Sequence, residues 1–240
     1  MTTPVNSKVT PALDPETYLA IEGVNDITRG YVDDVISFMN DAYATLGKLH
    51  EAKDLVDGNP AWTVEQRVLM MSAEAIKQKT RLAQRLDRAV RDLESRIVRT
   101  EQELIKPVQQ AAAGPLAKEV RQHFKSLSGG ERSKLIREAL ATDDEATLQA
   151  VLGAQPFLSG FSVVDRDHFI GIYHAKKQPH LVERRDVMVR VRDLLNASGA
   201  NGAAFHKAFE VVVGAKPGDA LAIEKANRRA LDALKIQPTA

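Results

Sequence analysis

The sequence predicts an all-α protein: a long antiparallel helical hairpin, resembling a coiled coil, followed by a compact subdomain of short helices. Apolar residues recur at seven-residue spacing along residues 62–106, which is typical of a long packed helix. A turn sequence rich in Gly and Pro precedes this stretch at 57–60, and another follows it at 107–115. Beyond the second turn sequence glycine and proline become more frequent, which predicts shorter helices.

We therefore expect three parts in the chain. They are an extended arm at 1–13, the long helical hairpin at 14–110, and the C-terminal helical subdomain at 114–240. The arm contains Pro4 and Pro11 and few residues that could build a core. Two interpretations remain open for it, a disordered tail or an arm that docks on a neighbouring subunit.

The first half of the hairpin begins with a helix start at Asp14-Pro15-Glu16, which combines an N-cap acceptor with proline at the first helical position. Gly23 and Gly30 predict a break near residues 23–26. A second long helix then extends from about residue 26 to 56 and ends at Asp57-Gly58-Asn59-Pro60. Its predicted apolar lines are Val24, Tyr31 and Phe38, and Val35, Ala42, Leu49 and Val56.

The second half of the hairpin restarts at Thr63, which forms a capping box with Gln66. Its main apolar line is Leu69, Ile76, Ala83, Val90, Ile97 and Leu104, with Leu86 and Leu93 on a second line. Two long helices joined by a short turn are expected to lie antiparallel. Acidic residues outnumber basic ones in residues 26–57, and the reverse holds in 77–99, so the two helices can pair through their charges.

Arg81, Arg85 and Arg88 fall on one face of this helix, and a basic face can contact phosphate or nucleic acid. Asp92 interrupts the line, and no aromatic residue is interleaved for base stacking. We therefore expect a solvated or intramolecularly paired face. The alternative is a nucleic-acid-binding or packaging accessory protein that uses the basic face of residues 62–106.

The C-terminal subdomain is predicted to contain seven short helices. Asp143 or Asp144 is the expected cap of the third, and Asp165 or Asp167 of the fourth. The predicted helices cover 116–127, 133–141, a piece that ends at Gly153, a segment carrying Phe169, Ile172 and Tyr173, 179–195, 202–213 and 219–234.

Leu127-Ser128-Gly129-Gly130-Glu131-Arg132 resembles the signature motif of ABC-type and SMC-type ATPases. Such an ATPase also needs a GxxxxGK[ST] loop and an apolar strand that ends in acids, and the sequence contains neither. A helix start explains the motif fully, with Ser128 as N-cap and Glu131 as its capping-box partner. We expect no ATPase activity.

Three histidines, His168, His174 and His180, lie close together in the sequence, but their spacing of six does not place them on one helix face. We therefore expect no metal site. Asp165, Asp167 and Glu183 could act as acid–base carboxylates, yet nothing pairs them with a nucleophile, so no catalytic residue and no cofactor is predicted. A pocket that gathers His168, His174 or Asp167 would favour an enzyme instead.

Composition sets the remaining limits. The formal net charge of +1 gives no overall attraction to nucleic acid or to an anionic membrane. The absence of cysteine excludes disulfides and thiolate chemistry. No signal peptide and no run of eighteen apolar residues is visible, so we expect a cytoplasmic or virion protein without a membrane segment.

Residues 121–161 carry a family resemblance. An R-x-H-F helix, Leu-Ser-x-x-Glu-Arg, Arg137-Glu138-Ala139-Leu140, an acid pair and the stretch Thr147–Gly160 are similar to uncharacterised helical proteins from the structural gene clusters of tailed phages and prophages. The resemblance implies a phage assembly or virion component. We therefore expect a non-enzymatic structural protein that contacts other proteins, either as a homo-oligomer or within a larger assembly.

Overall fold

The computed structural model describes residues 8–235, which form helices and turns without a strand, so the all-α prediction is confirmed. Residues 1–7 of the expected arm lie outside the described residues. The α-helices are α1 Pro15–Leu19, α2 Asp33–Asp57, α3 Val64–Ala111, α4 Ala117–Ser126, α5 Gly129–Thr142, α6 Glu145–Leu152, α7 Pro156–Ser159, α8 Val163–Lys177, α9 Pro179–Ser198, α10 Ala203–Val213 and α11 Pro217–Ala233.

The chain divides into two compact units, and their boundaries differ from the division expected at residues 110–114. The first unit holds Met1–Leu93 and Arg190–Ala240, and the second holds Glu94–Val189. Both boundaries fall inside helices, one in α3 and the other in α9.

Pro107 does not end α3, contrary to the prediction that the helix stops at residue 106. The helix continues through this proline to Ala111. Proline removes one helical hydrogen bond and crowds the preceding turn. Leu104 and Val108 are both buried on either side of it, and the packing of their side chains offsets that cost.

Residues 8–13 are packed rather than extended. Val9 and Leu13 are buried, and Pro11–Leu13 forms one turn of 3-10 helix. The hydroxyl of the buried Tyr18 lies 3.2 Å from the carbonyl oxygen of Ala12, to which it donates, and 3.2 Å from Ser198 Oγ. Two buried apolar side chains, the hydrogen bond from Tyr18 and an ion pair between Lys8 and Asp54 together fix this segment to the first unit.

Local capping chemistry was predicted correctly at the starts of α1, α3 and α6. Asp14 accepts from the backbone amide of Glu16 at 3.0 Å. The amide of Thr63 donates to Gln66 Oε1 at 2.9 Å, and the amide of Gln66 donates back to Thr63 Oγ1 at 3.3 Å. Asp144 caps α6 by accepting from the amide of Thr147 at 3.1 Å.

The predicted cap of α8 was wrong. Ser162 is the N-cap and accepts from the amide of Asp165 at 3.0 Å, so Asp165 lies inside the first turn. Ser162 Oγ also lies 2.7 Å from the Asp165 carboxylate. This serine–aspartate pair resembles a capping box, in which the acid is the partner and not the cap.

The predicted apolar line of α3 was displaced from the buried face over most of its length. Ile76 is 58% exposed, and Leu69, Ala83 and Val90 are only partly buried. Only Ile97 and Leu104 of that line are buried, together with Leu86 and Leu93 of the second line. The buried face comprises Val68, Met71, Ala75, Leu82, Leu86, Ala89, Leu93, Ile97, Thr100, Leu104 and Val108.

Each unit has its own aromatic cluster. In the first, the ring of Phe205 lies between Phe38 at 6.2 Å and Phe209 at 5.2 Å, measured between ring centroids. This cluster attaches α10 to α2. In the second, the ring of Phe161 lies 6.2 Å from Phe124 and 5.8 Å from Phe169, within the core built by α4 to α8.

Candidate protein-binding surface

The C-terminal part of α11 is exposed on all sides. Every residue from 224 to 235 is exposed, and none of the residues in α11 is buried. Leu231 is 54% and Leu234 is 74% exposed. An isolated helix of about twelve residues is only marginally stable in water, because tertiary packing normally supplies most of the stability of a helix. We call residues 224–235 the exposed segment.

An apolar groove lies at the base of α11. It has a volume of about 270 Å³, and α3, α10 and α11 all contribute to its lining. Most of its wall is apolar, and its charged residues are Lys79, Glu210 and Glu224. We call it the α11 groove; its main apolar residues are Ile76, Phe209, Val213, Pro217, Ala220 and Leu221.

The exposed segment and the α11 groove belong to one continuous helix face. Leu231 and Leu234 follow Ala220 by 11 and 14 residues, which brings all three side chains within an arc of about 60° around an α-helix. Ala220 lines the groove, whereas the two leucines lie in solvent. The apolar face that closes one side of the groove therefore continues beyond it without a partner in the described chain.

The exposed segment is basic, and the charges of the groove are mainly acidic. Lys225, Arg228, Arg229 and Lys235 outnumber Glu224 and Asp232 along the segment. Arg228 donates to Glu224 at 2.9 Å, and Lys235 donates to Asp232 at 2.8 Å. These are exposed ion pairs of the kind that contribute little to stability, so their partners can be exchanged at small cost.

Two of the three arginines considered for nucleic acid contact α2. The guanidinium of Arg81 donates to Asp41 at 2.7 and 3.0 Å, and that of Arg85 donates to the same carboxylate at 2.6 Å. Hydrogen bonding from Arg81 is the main cause of the lowered pKa of Asp41, with Arg85 adding to it. The Nε atom of Arg88 donates to the carbonyl oxygen of Gln84 at 3.3 Å.

Asp167 and His174 meet at one open cleft of about 490 Å³ in the second unit, which also contains Glu101, Arg166 and Arg185. The Nε2 atom of the buried His174 has no hydrogen-bond partner within the described residues. Burial, together with the charges of Arg185 and Arg166, lowers the pKa of His174 to about 4. The imidazole is therefore neutral at pH 7.

This cleft brings together only part of the predicted acid–base residues. Asp167 forms an ion pair with Arg166 at 3.1 Å. No serine, threonine, lysine or tyrosine lies among the described residues that line the cleft. His168 and His180 are exposed and do not line it. Within residues 8–235 no group of three histidine, aspartate or glutamate residues could hold a metal ion.

The motif that resembles an ATPase signature is a helix start, as predicted. The amide of Glu131 donates to Ser128 Oγ at 3.4 Å, and the amide of Ser128 donates to the Glu131 carboxylate at 2.9 Å. These two bonds form a complete capping box at the start of α5. The Ser128 hydroxyl also donates to the Glu131 carboxylate at 2.6 Å, and this bond, followed by the one from the Ser128 amide, lowers the pKa of Glu131.

No protein-family model, curated protein or solved structure matches this chain. The resemblance of residues 121–161 to phage structural proteins therefore stays a prediction. No helix within the described residues has the length and apolar character that a bilayer span requires. The exposed apolar face of α11 is the feature of the structure that best indicates a binding surface. The sequence predicted a helix at 219–234, but not that its apolar face is exposed.

Proposed function

We propose that this chain is a non-enzymatic helical structural protein that assembles with other protein subunits through α11, as a virion or morphogenesis component of a tailed phage. The observation that carries the proposal is the exposed segment, which presents Leu231 and Leu234 on a helix face without a partner. Exposed apolar faces of this kind mark protein contacts. The resemblance of residues 121–161 to phage structural proteins supplies the phage context.

The long helices suit such a role, and we interpret α2 and α3 as the antiparallel hairpin expected from the sequence. The turn at Asp57–Thr63 joins them, and Asp41 pairs with Arg81 and Arg85 across 40 and 44 positions of sequence. These pairs support an antiparallel arrangement, because residues equally distant from the turn meet. A helical scaffold of this kind holds a contact surface in place without any chemistry of its own, in the cytoplasm or in the virion.

The test compares the native chain with a variant that carries Leu231→Glu and Leu234→Glu, both produced at native level in a phage-producing culture. Gel filtration of the extract, followed by mass spectrometry of the fractions, reports the species that contains each chain. We expect the native chain in a species larger than its 26.4 kDa. The double variant is expected to elute at the monomer position, because two carboxylates cannot be buried in an apolar contact.

Ala222→Glu is the matched control, since Ala222 is exposed in α11 on the side opposite the leucines. It adds charge to the same helix but leaves the apolar face intact, so it should behave as the native chain does. A native chain that elutes at the monomer position in every fraction would exclude an assembly role.

A further inference from the structure

We propose that the exposed segment of one chain docks in the α11 groove of a second copy of the same chain, and that the reverse contact forms at the same time. The proposal deepens the proposed function by naming the partner, and it rests on that function. Two observations lead to it: an apolar helix face without a partner, and an apolar groove at the other end of the same face.

The spacing of the side chains selects an antiparallel pair. Ala220, Ile223, Asn227, Ala230 and Leu234 alternate at three and four residues, the pattern of a coiled-coil seam. Ala220 and Leu234 lie seven residues on either side of Asn227. Antiparallel pairing therefore places Leu234 of each copy over Ala220 of the other, where the groove opens, and brings the two Asn227 amides together at the two-fold axis.

Side-chain size is complementary in this register. A large leucine of one copy lies over a small alanine and the groove of the other, as in knobs-into-holes packing. The groove volume of about 270 Å³ accommodates leucine side chains without displacing the chain that forms it. Two asparagines that meet within an apolar seam can satisfy each other through hydrogen bonds, and a polar residue at such a position fixes the register.

Charge is complementary as well. Glu224, Arg228 and Lys235 lie on one flank of the seam. Antiparallel pairing brings the basic end of each flank toward Glu224 and Glu210 at the partner's groove. In a parallel pair the same flank of the two helices lies on opposite sides of the seam, so the basic residues of one copy would not meet Glu224 of the other.

The contact forms a closed dimer. A two-fold axis lets the same surface serve both copies, so each exposed segment and each groove is used once and no open filament results. Two short segments and two grooves give a contact near the lower limit of about 1,200 Å² for specific interfaces. We therefore expect a dimer with micromolar affinity, whose population depends on concentration.

The test of the dimer uses the purified full-length chain in light scattering from about 1 to 200 µM. We expect the average mass to rise from 26.4 kDa toward twice that value across this range. Leu234→Glu on the segment and Ile76→Glu in the groove should each abolish the rise. Both side chains are exposed in the monomer, so neither substitution is expected to unfold it.

The test of the register uses single cysteines, because the chain has none of its own. Asn227→Cys places a thiol at the proposed two-fold axis, and Arg229→Cys places one at nearly the same height on the opposite face of α11. With oxidised glutathione as electron acceptor, we expect the first variant to form a disulfide-linked dimer at least about tenfold faster than the second.

The inference is overturned if the native chain stays monomeric over the whole range, or if the two cysteine variants cross-link at equal rates. A monomeric purified chain that still elutes in a large species from the phage-producing culture would overturn only the self-pairing. In that case α11 contacts a different subunit and the assembly function stands. A monomer under both conditions would overturn both proposals.

Discussion

Asp41 is the residue that most directly joins α2 to α3, because it accepts hydrogen bonds from Arg81 and Arg85. We expect Asp41→Asn to lower the free energy of unfolding by about 1 kcal/mol at pH 7, the scale of a partly exposed ion pair. Urea unfolding followed by circular dichroism measures the change. Asp87→Asn, an exposed substitution on α3, is the control and should be close to neutral.

The contribution of Asp41 to the free energy of unfolding depends on pH, and its lowered pKa determines the direction. A carboxylate whose pKa is lower in the folded chain stabilises the fold above the pKa of the unfolded chain, about 3.8, and loses that contribution as the pH falls through the folded value. The difference between Asp41→Asn and the native chain should be constant from pH 5 to 7 and shrink toward pH 3. A difference that grows on acidification would contradict the assignment.

His174 gives a dependence in the same direction but at higher pH, since it is a base held neutral by burial near Arg185 and Arg166. Its pKa of about 4 lies below the ordinary value of 6.5, so the unfolded chain takes up the proton first. Protonation therefore costs stability as the pH falls from about 6.5 to 4, by up to about 3 kcal/mol at the lower end.

The substitution His174→Phe isolates this effect. It keeps an aromatic ring of similar shape, removes the titrating group, and sacrifices no hydrogen bond of Nε2, which has no partner within the described residues. We expect the variant to lose less stability than the native chain between pH 6.5 and 4 in urea unfolding. The exposed His180→Gln is the control and should follow the native chain; equal losses in all three proteins would contradict the role of His174.

At the scale of helices, the close approach of α6 to the end of α3 depends on Gly153. A side chain at this position would overlap the backbone carbonyl of Val108, which a rotamer change cannot relieve. We expect Gly153→Ala to lower the free energy of unfolding by about 2 kcal/mol, the scale of an overpacked core. The midpoint of urea unfolding reports the change.

Gly171 is a matched control for Gly153, because it lies inside α8 in the same unit and nothing lies within 4 Å of an added Cβ atom. Gly171→Ala should raise the free energy of unfolding by about 0.5 to 1 kcal/mol, since alanine favours a helix more than glycine does. If both substitutions shift the midpoint in the same direction, the contact between Gly153 and Val108 does not determine the result.

Helix starts could be predicted from the sequence because capping is local chemistry. Ser128 and Glu131, like Thr63 and Gln66, satisfy each other within one helical turn, so no distant contact decides the outcome. The start of α8 shows the limit of this reasoning. Two acids and a serine compete there within six positions, and the extended backbone conformation of Ser162 selects it as the cap.

The buried face of α3 could not be identified from a seven-residue apolar repeat. An α-helix has 3.6 residues per turn, so a straight helix drifts by about 20° per heptad away from a seven-residue line. The buried residues instead repeat at eleven, as in Leu82, Leu93 and Leu104, and in Leu86, Ile97 and Val108. Apolar residues such as Ile76 and Val90 lie beside this face. The sequence alone therefore does not distinguish the seven-residue line from the eleven-residue line.

The candidate surface on α11 could not be predicted from the sequence for a related reason. The apolar periodicity of α11 predicts a helix with a face to bury, but not whether the chain itself covers that face. Residues 8–13 illustrate the converse, since Val9 and Leu13 are too few to predict a packed segment and are nevertheless buried. Exposure depends on contacts between residues far apart in the sequence.

At the scale of the whole molecule, charge bears on the alternative of nucleic-acid binding. The formal net charge is +1, and Arg81 and Arg85 already donate to Asp41, which leaves Arg88 as the best placed arginine of the three. We expect no retardation of a short DNA duplex in a gel shift at about 100 mM salt and protein up to about 10 µM, where non-specific binding by basic proteins is detectable.

Arg88→Gln tests the basic face without disturbing the ion pairs of Asp41, and Arg91→Gln is its control. Retardation that weakens steeply with salt and is lost in Arg88→Gln alone would establish the alternative, because each phosphate contact adds to the salt dependence of binding.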